Sequence, residues 1–149
     1  MLVKGKPHRK AGTQWACIYS AGQNHITFQN IAVTNSNDFG AQFSRATYNV
    51  LDGVDASWNY QKGVDNNGGV SDFTNHITVK DGEFSYNGFA GIEFHGGATW
   101  GLIGDLLIQN NTVHDNGIVC GLLQRRYLCP QNNLLLCVPS VNSYFDPIK

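Results

Sequence analysis

The phrase Asn24-His25-Ile26-Thr27-Phe28 returns as Asn75-His76-Ile77-Thr78-Val79, and this echo limits the possible folds more than any other feature. A period of about 20–50 residues signals a solenoid, in which each unit completes its core only by stacking on its neighbours. Phe28, Leu51, Val79 and Ile108 are taken as equivalent, at spacings of 23, 28 and 29. The downstream residues then align without adjustment. Val33, Ala56, Phe84 and Val113 match, as do Thr34, Ser57, Ser85 and His114, and then Asn59, Asn87 and Asn116. The triplets Gly40-Ala41-Gln42, Gly63-Val64-Asp65 and Gly91-Ile92-Glu93 form a further set. Ala16-Cys17-Ile18-Tyr19-Ser20-Ala21-Gly22 reads as a weaker, earlier copy of it. In that alignment Cys17 stands with Val64 and Ile92 and is expected to fill an inward position.

Within each unit apolar residues alternate. Ile77 and Val79 flank Thr78, Ile31 and Val33 flank Ala32, and Ile92 and Phe94 flank Glu93. Period-2 spacing in short runs predicts strands with one buried face. Asn, Gly and Asp punctuate the runs; they tolerate left-handed backbone and make tight bends, and their frequency argues against long helices. Three short strands in about 25 residues describe one coil of a parallel β-helix, with strands of neighbouring coils ~4.8 Å apart. The fold expected is all-β, with about four to five coils over residues 16–119, a segment 1–15 before them and a non-repeat tail 120–149. Equivalent residues become ladders along the axis. Asn59, Asn87 and Asn116 are expected to pass side-chain amide hydrogen bonds from coil to coil at a bend.

Two stretches carry a resemblance: Ile77-Thr78-Val79-Lys80-Asp81-Gly82-Glu83-Phe84-Ser85-Tyr86-Asn87-Gly88 and Leu106-Leu107-Ile108-Gln109-Asn110-Asn111-Thr112-Val113-His114-Asp115-Asn116-Gly117. On these the chain resembles the right-handed parallel β-helix repeat proteins of the pectate-lyase-like superfamily, over roughly residues 16–119. The handedness comes from that resemblance and from the general rule for parallel crossovers. The resemblance implies a polysaccharide substrate or glycan ligand and an extracellular or periplasmic location. It ties the chain to no single lyase or hydrolase family.

A length of 149 residues suggests one domain. The formal charge of −1 gives no basic field for nucleic acid. Charged residues are only 14% of the chain, which suits stacked strands, where like charges one coil apart repel. The basic start, Met1 to Lys10, lacks the apolar core of a signal peptide, and no stretch has the run of apolar residues that a membrane span needs. After Gly117 the strand-Asn-Gly grammar stops. The tail is either a cap over the open core or unrelated sequence joined to a truncated helix, with the balance toward truncation. It holds Cys120, Cys129 and Cys137; their spacing matches no zinc pattern and assigns no disulfide.

Outward strand positions are where chemistry is expected. Two acidic ladders stand out: Asp55 with Glu83, and Asp65 with Glu93. Each pair lies one coil apart, so its backbones are ~5 Å apart. Carboxylates that close repel, which favours protonation of one unless a cation or base intervenes. That geometry invites calcium, which takes several oxygen ligands, and also matches the acid and nucleophile of a retaining glycosidase. A solvated acid on an outer face is the plain alternative for both ladders. The second ladder ranks higher, because His95 and glycine-rich loops over 66–75 and 94–104 follow it, and Lys62 is its nearest cation. His95 reads either as a base or metal ligand or as a loop hydrogen-bonder. Trp58 and Tyr86, stacked at a bend, and Trp100 offer flat rings for sugar faces or shields for the bends. His25, His76 and His114 read as structural, and Lys80 as the surface ion-pair partner of Asp52.

Three functions stay open. The leading expectation is a carbohydrate-active β-helix. A lyase would use Asp65 and Glu93 on calcium with Lys62 or His95 as base; a hydrolase would use Asp65 and Glu93 as acid and nucleophile or base. The second is a non-catalytic glycan-binding or adhesin-like β-helix. The third is a truncated, inactive fragment.

Overall fold

The computed structural model describes residues 2–4, 15–66, 73–95, 102–117, 134–137 and 144–145. Its elements are all strands. They are β1 (Leu2–Lys4), β2 (Ala16–Ala21), β3 (Thr27–Gln29), β4 (Ala32–Thr34), β5 (Phe39–Ser44), β6 (Val50–Asp52), β7 (Asp55–Ser57) and β8 (Lys62–Asn66). Then follow β9 (Phe73–Lys80), β10 (Glu83–Ser85), β11 (Ala90–His95), β12 (Leu102–Gln109), β13 (Thr112–His114), β14 (Leu134–Cys137) and β15 (Tyr144–Phe145). Every third strand pairs in parallel. The three sheets run β1-β4-β7-β10-β13, β14-β11-β8-β5-β2 and β15-β12-β9-β6-β3.

The register is the one the repeat predicts. Leu51 pairs with Phe28 and Val79, and Val79 with Ile108. Val33 pairs with Ala56, and Phe84 with Val113. These residues, with Ala41, Val64 and Ile92, form one buried core along the axis, which Phe28 joins as a partly buried member. Three complete turns carry the chain from Ala16 through Phe39 and Lys62 to Ala90, so the count is about three turns, slightly below the four to five expected.

Left-handed residues turn the corners. His25, Tyr48, His76 and Asp105 share one corner, Asn30, Gly53, Asp81 and Asn110 the next, and Asn35, Trp58, Tyr86 and Asp115 the third; all have positive φ. Asn, Asp and Gly adopt that conformation readily, whereas Tyr and Trp pay for it. Ring stacking offsets the cost. Tyr48 lies between His25 and His76, with centroids at 4.8 and 4.2 Å, and Trp58 stacks on Tyr86 at 4.6 Å.

From β2 to β13, length varies at one place on the perimeter. Gln42 to Asp65 spans 23 residues but Val50 to Thr78 spans 28, so the growth enters between Asp65 and Thr78. The next increment enters between Glu93 and Leu107, one turn above. Elsewhere between β2 and β13 the ladders keep step, while the spacings to β1, β14 and β15 are longer.

Two sets of residues lock the coils. Asn59 donates through Nδ2 to Asn87 Oδ1, and Asn87 to Asn116 Oδ1, both at 2.9 Å. The glycine column Gly40, Gly63 and Gly91 lies against this ladder. A Cβ on Gly40 would stand 2.8 Å from Asn59 Nδ2, and on Gly91 2.9 Å from Asn116 Nδ2. This corrects the alignment of Cys17. Ile18, not Cys17, pairs with Ala41 in the inward column, which places Cys17 in the glycine column. A side chain fits there because the ladder position beside it is Ser36, whose short hydroxyl turns to the Trp15 carbonyl. Cysteine and isoleucine are both apolar, so alternation alone did not fix the register.

Candidate functional site

Register places Glu93 beside Asp65 and Asp65 beside Gln42 on β11, β8 and β5, as the sequence predicts. Their setting differs from the expectation. Gln42 and Asp65 are each only 3% exposed and Glu93 only 1%, so this ladder is no solvent-facing surface. Lys62, at the start of β8, reaches forward to Asp65 on its own strand and to Glu93 on the next turn. Its Nζ lies 2.7 Å from Asp65 Oδ1 and 3.1 Å from Glu93 Oε2. Gln42 Nε2 donates to Asp65 Oδ2 at 3.2 Å. The cation needed between two close carboxylates is therefore a lysine. Calcium takes about six to eight oxygen ligands. The described residues offer two carboxylates and an amide around a space that Lys62 already fills, so they do not fit that ion. Among the described residues no three His, Cys, Asp or Glu side chains are arranged to hold a metal ion. The backbone of His95 ends β11, but its side chain lies outside the described residues, as do Trp100, Cys120 and Cys129.

The other acidic ladder is the exposed one. Glu83 pairs with Asp55, and both are solvent-facing. Ser57 Oγ donates to Asp55 Oδ1, and Ser85 Oγ to Glu83 Oε1 at 3.1 Å. His114, aligned with Ser85, bridges Glu83 Oε1 through Nε2 at 3.3 Å and Asp115 Oδ2 through Nδ1 at 2.8 Å. The hydrogen bond to Asp115, followed by the one to Glu83, holds the His114 pKa above its ordinary value. The same bond to His114 lowers that of Asp115. His114 is thus more than the structural residue its ladder suggests. Alternation already placed it on the same strand face as Glu83, two positions along, but position-by-position alignment with serines concealed the pairing.

A groove of about 910 Å³ opens beside this ladder. Trp58, Tyr60, Tyr86 and Phe89 supply its rings, and Asn35, Asn59 and Gln61 are among its amides. Trp58 is 62% exposed and Tyr60 67%, while Phe89 is only partly so. The edge of Tyr86 meets the His114 ring, with centroids 5.7 Å apart. Phe89 faces the groove yet lies 5.8 Å from Lys62 Nζ, linking the groove wall to the buried triad. The sequence reading found Trp58 and Tyr86 but missed Tyr60 and Phe89. Their repeat partners, Asn37 with Gly88 and Asp38 with Gln61, are not aromatic, so no ladder advertised them.

Three parallel sheets wound around one core, with an amide ladder at one corner, define a parallel β-helix repeat protein. The chain belongs to the right-handed β-helix family: the model of the right-handed beta helix region matches residues 8–132. That membership is consistent with the pectate-lyase-like superfamily. No match was found among curated proteins or solved structures.

Proposed function

We propose that the protein binds a polysaccharide in the Trp58–Tyr86 groove. One observation carries the reading: the exposed Trp58 and Tyr86 rings stack along the helix axis at 4.6 Å, within a groove lined also by Tyr60, Phe89 and side-chain amides. Sugars present apolar C–H faces that pack on rings, and hydroxyls that exchange hydrogen bonds with Asn and Gln. A large exposed aromatic patch on a rigid scaffold is itself a signature of binding. The Lys62–Asp65–Glu93 cluster is buried, next to Phe89 of the groove wall, and does not face the ligand in this reading.

A second reading, glycoside hydrolysis, has its own support. Asp55 and Glu83 are exposed, one coil apart and adjacent to Tyr86 through His114. Retaining glycosidases hold their carboxyls ~5–5.5 Å apart, close to the coil spacing.

Affinity electrophoresis in neutral and uronate polysaccharides tests the binding, alongside assays for reducing ends and for the ultraviolet absorbance of unsaturated products. Retardation that disappears in Trp58→Ala supports the groove. Reducing ends that disappear in Glu83→Gln select hydrolysis. Unsaturated products lost in Lys62→Arg would restore the buried triad, with Asp65 and Glu93, as a lyase centre. A folded protein with neither retardation nor turnover rejects the carbohydrate reading.

A further inference from the structure

The groove leaves one reactive constellation unused. Lys62 Nζ, a nucleophile once deprotonated, stands at 3.1 Å from the Glu93 carboxylate and 2.7 Å from that of Asp65. Lys62 is 9% exposed, Asp65 3% and Glu93 1%. The Phe39 and Phe89 rings lie 5.5 and 5.8 Å from Nζ. A primary amine is therefore held against two carboxyl groups, among aromatic rings, with little access to water. We infer that this triad is an intramolecular isopeptide site, which joins Lys62 to Glu93 and uses Asp65 as proton carrier.

The chemistry follows from burial and position. An ammonium and a carboxylate do not condense in water, because both are charged and hydrated. In a water-poor interior a neutral amine beside a neutral acid competes with the ion pair. Asp65 Oδ1 takes a proton from Lys62 Nζ, and Nζ attacks Glu93 Cδ. The tetrahedral adduct then loses one carboxyl oxygen as water. Asp65 returns its proton to that leaving group, and the second proton comes from the nitrogen. An ammonium and a carboxylate become an amide and one water, and Asp65 ends unchanged. Gln42 Nε2 holds the other Asp65 oxygen at 3.2 Å and fixes the carrier in place. Holding the reacting groups in contact supplies the proximity that bimolecular condensation lacks.

The bond would tie β8 to β11, strands that belong to successive turns. The test is the intact mass of the full-length protein after prolonged incubation at neutral pH, with peptide mapping. A species one water lighter than the sequence mass is expected, with fragment ions joining the Lys62 and Glu93 peptides and no tryptic cut after Lys62. Lys62→Arg keeps the positive charge and should show the full mass. A wild type at the full sequence mass overturns the inference. So does a water deficit that persists in Lys62→Arg, or a link that maps to Asp65.

Discussion

Asn59 donates its side-chain Nδ2–H to Asn87 Oδ1 at 2.9 Å, although 28 residues of sequence separate them. The same Asn87 oxygen accepts the Asn59 backbone N–H at 3.0 Å, and Asn87 Nδ2 donates to the Ala56 carbonyl and to Asn116 Oδ1. One side chain thus satisfies groups on three successive turns. Asn87→Ala removes it and strands several buried polar atoms, each worth about 1–3 kcal/mol. We expect a loss of about 3 kcal/mol or more in urea unfolding. A loss below about 1 kcal/mol would show that water replaces the amide.

The glycine column gives a positional test. A Cβ on Gly63 would lie 2.4 Å from the Gly91 carbonyl oxygen, a backbone atom with little freedom to move. Gly63→Ala should destabilise by about 1–3 kcal/mol, the range for overpacking. Cys17→Ala, in the same column one end along, should cost clearly less, because Cys17 is only partly buried and its position already accommodates a side chain. Equal costs in thermal unfolding would contradict the role given to Ser36.

Before the Lys62–Glu93 bond forms, Lys62 neutralises two buried carboxylates. Lys62→Met leaves them facing each other and should cost about 3–5 kcal/mol. Replacing the whole triad by apolar residues of similar volume should recover much of that loss, since desolvation of all three charges is then avoided. Chemical denaturation of the single and triple variants decides. A single variant as stable as wild type would remove the triad from the energetics of the fold.

The His114 cluster makes stability depend on pH in a defined direction. A folded-state His114 pKa above 6.5 means that its contribution is fully present below about pH 6.5 and fades as pH rises through the raised value. The lowered Asp115 pKa acts at the other end: its contribution is present above about 3.8 and is lost as pH falls through the depressed value. The effect is small, because both groups are largely solvated. His114→Gln should flatten the neutral-side slope of midpoint against pH. An NMR titration placing the His114 midpoint at or below 6.5 would refute the pairing.

For the groove, Trp58→Ala should weaken polysaccharide binding about tenfold, the size expected from roughly 1.4 kcal/mol of ring contact. Tyr48→Ala is the control. Its ring stacks at another corner, between His25 and His76, and should leave affinity unchanged. Isothermal titration separates the two, and equal losses would point to general destabilisation instead of contact.

Much of this architecture was legible because stacking leaves a signature in one dimension. Leu51 must resemble Phe28 and Val79 since all three fill the same slot in successive turns, and Asn87 must match Asn59 and Asn116 to pass on a hydrogen bond. The exposure of each ladder was not legible. Asp65 and Asp55 are both acidic residues on the outward phase of a strand, and alternation says nothing about what covers that face. Exposure separates the two ladders: Asp65 and Glu93 are enclosed with Lys62, while Asp55 and Glu83 meet solvent. The Glu83–His114 pair was hidden for a related reason, since it runs diagonally between ladders that an alignment treats one column at a time.

The uneven spacing of the turns divides the molecule into two regimes of inheritance. In the ladders, a change at Asn87 must be answered at Asn59 and Asn116, so those columns can only drift together. Between Asp65 and Thr78, and again between Glu93 and Leu107, the chain has gained residues while the paired strands on either side kept their register. Between β2 and β13 a lineage can change the length of that margin without moving these paired strands, so novelty within these turns accumulates along one seam.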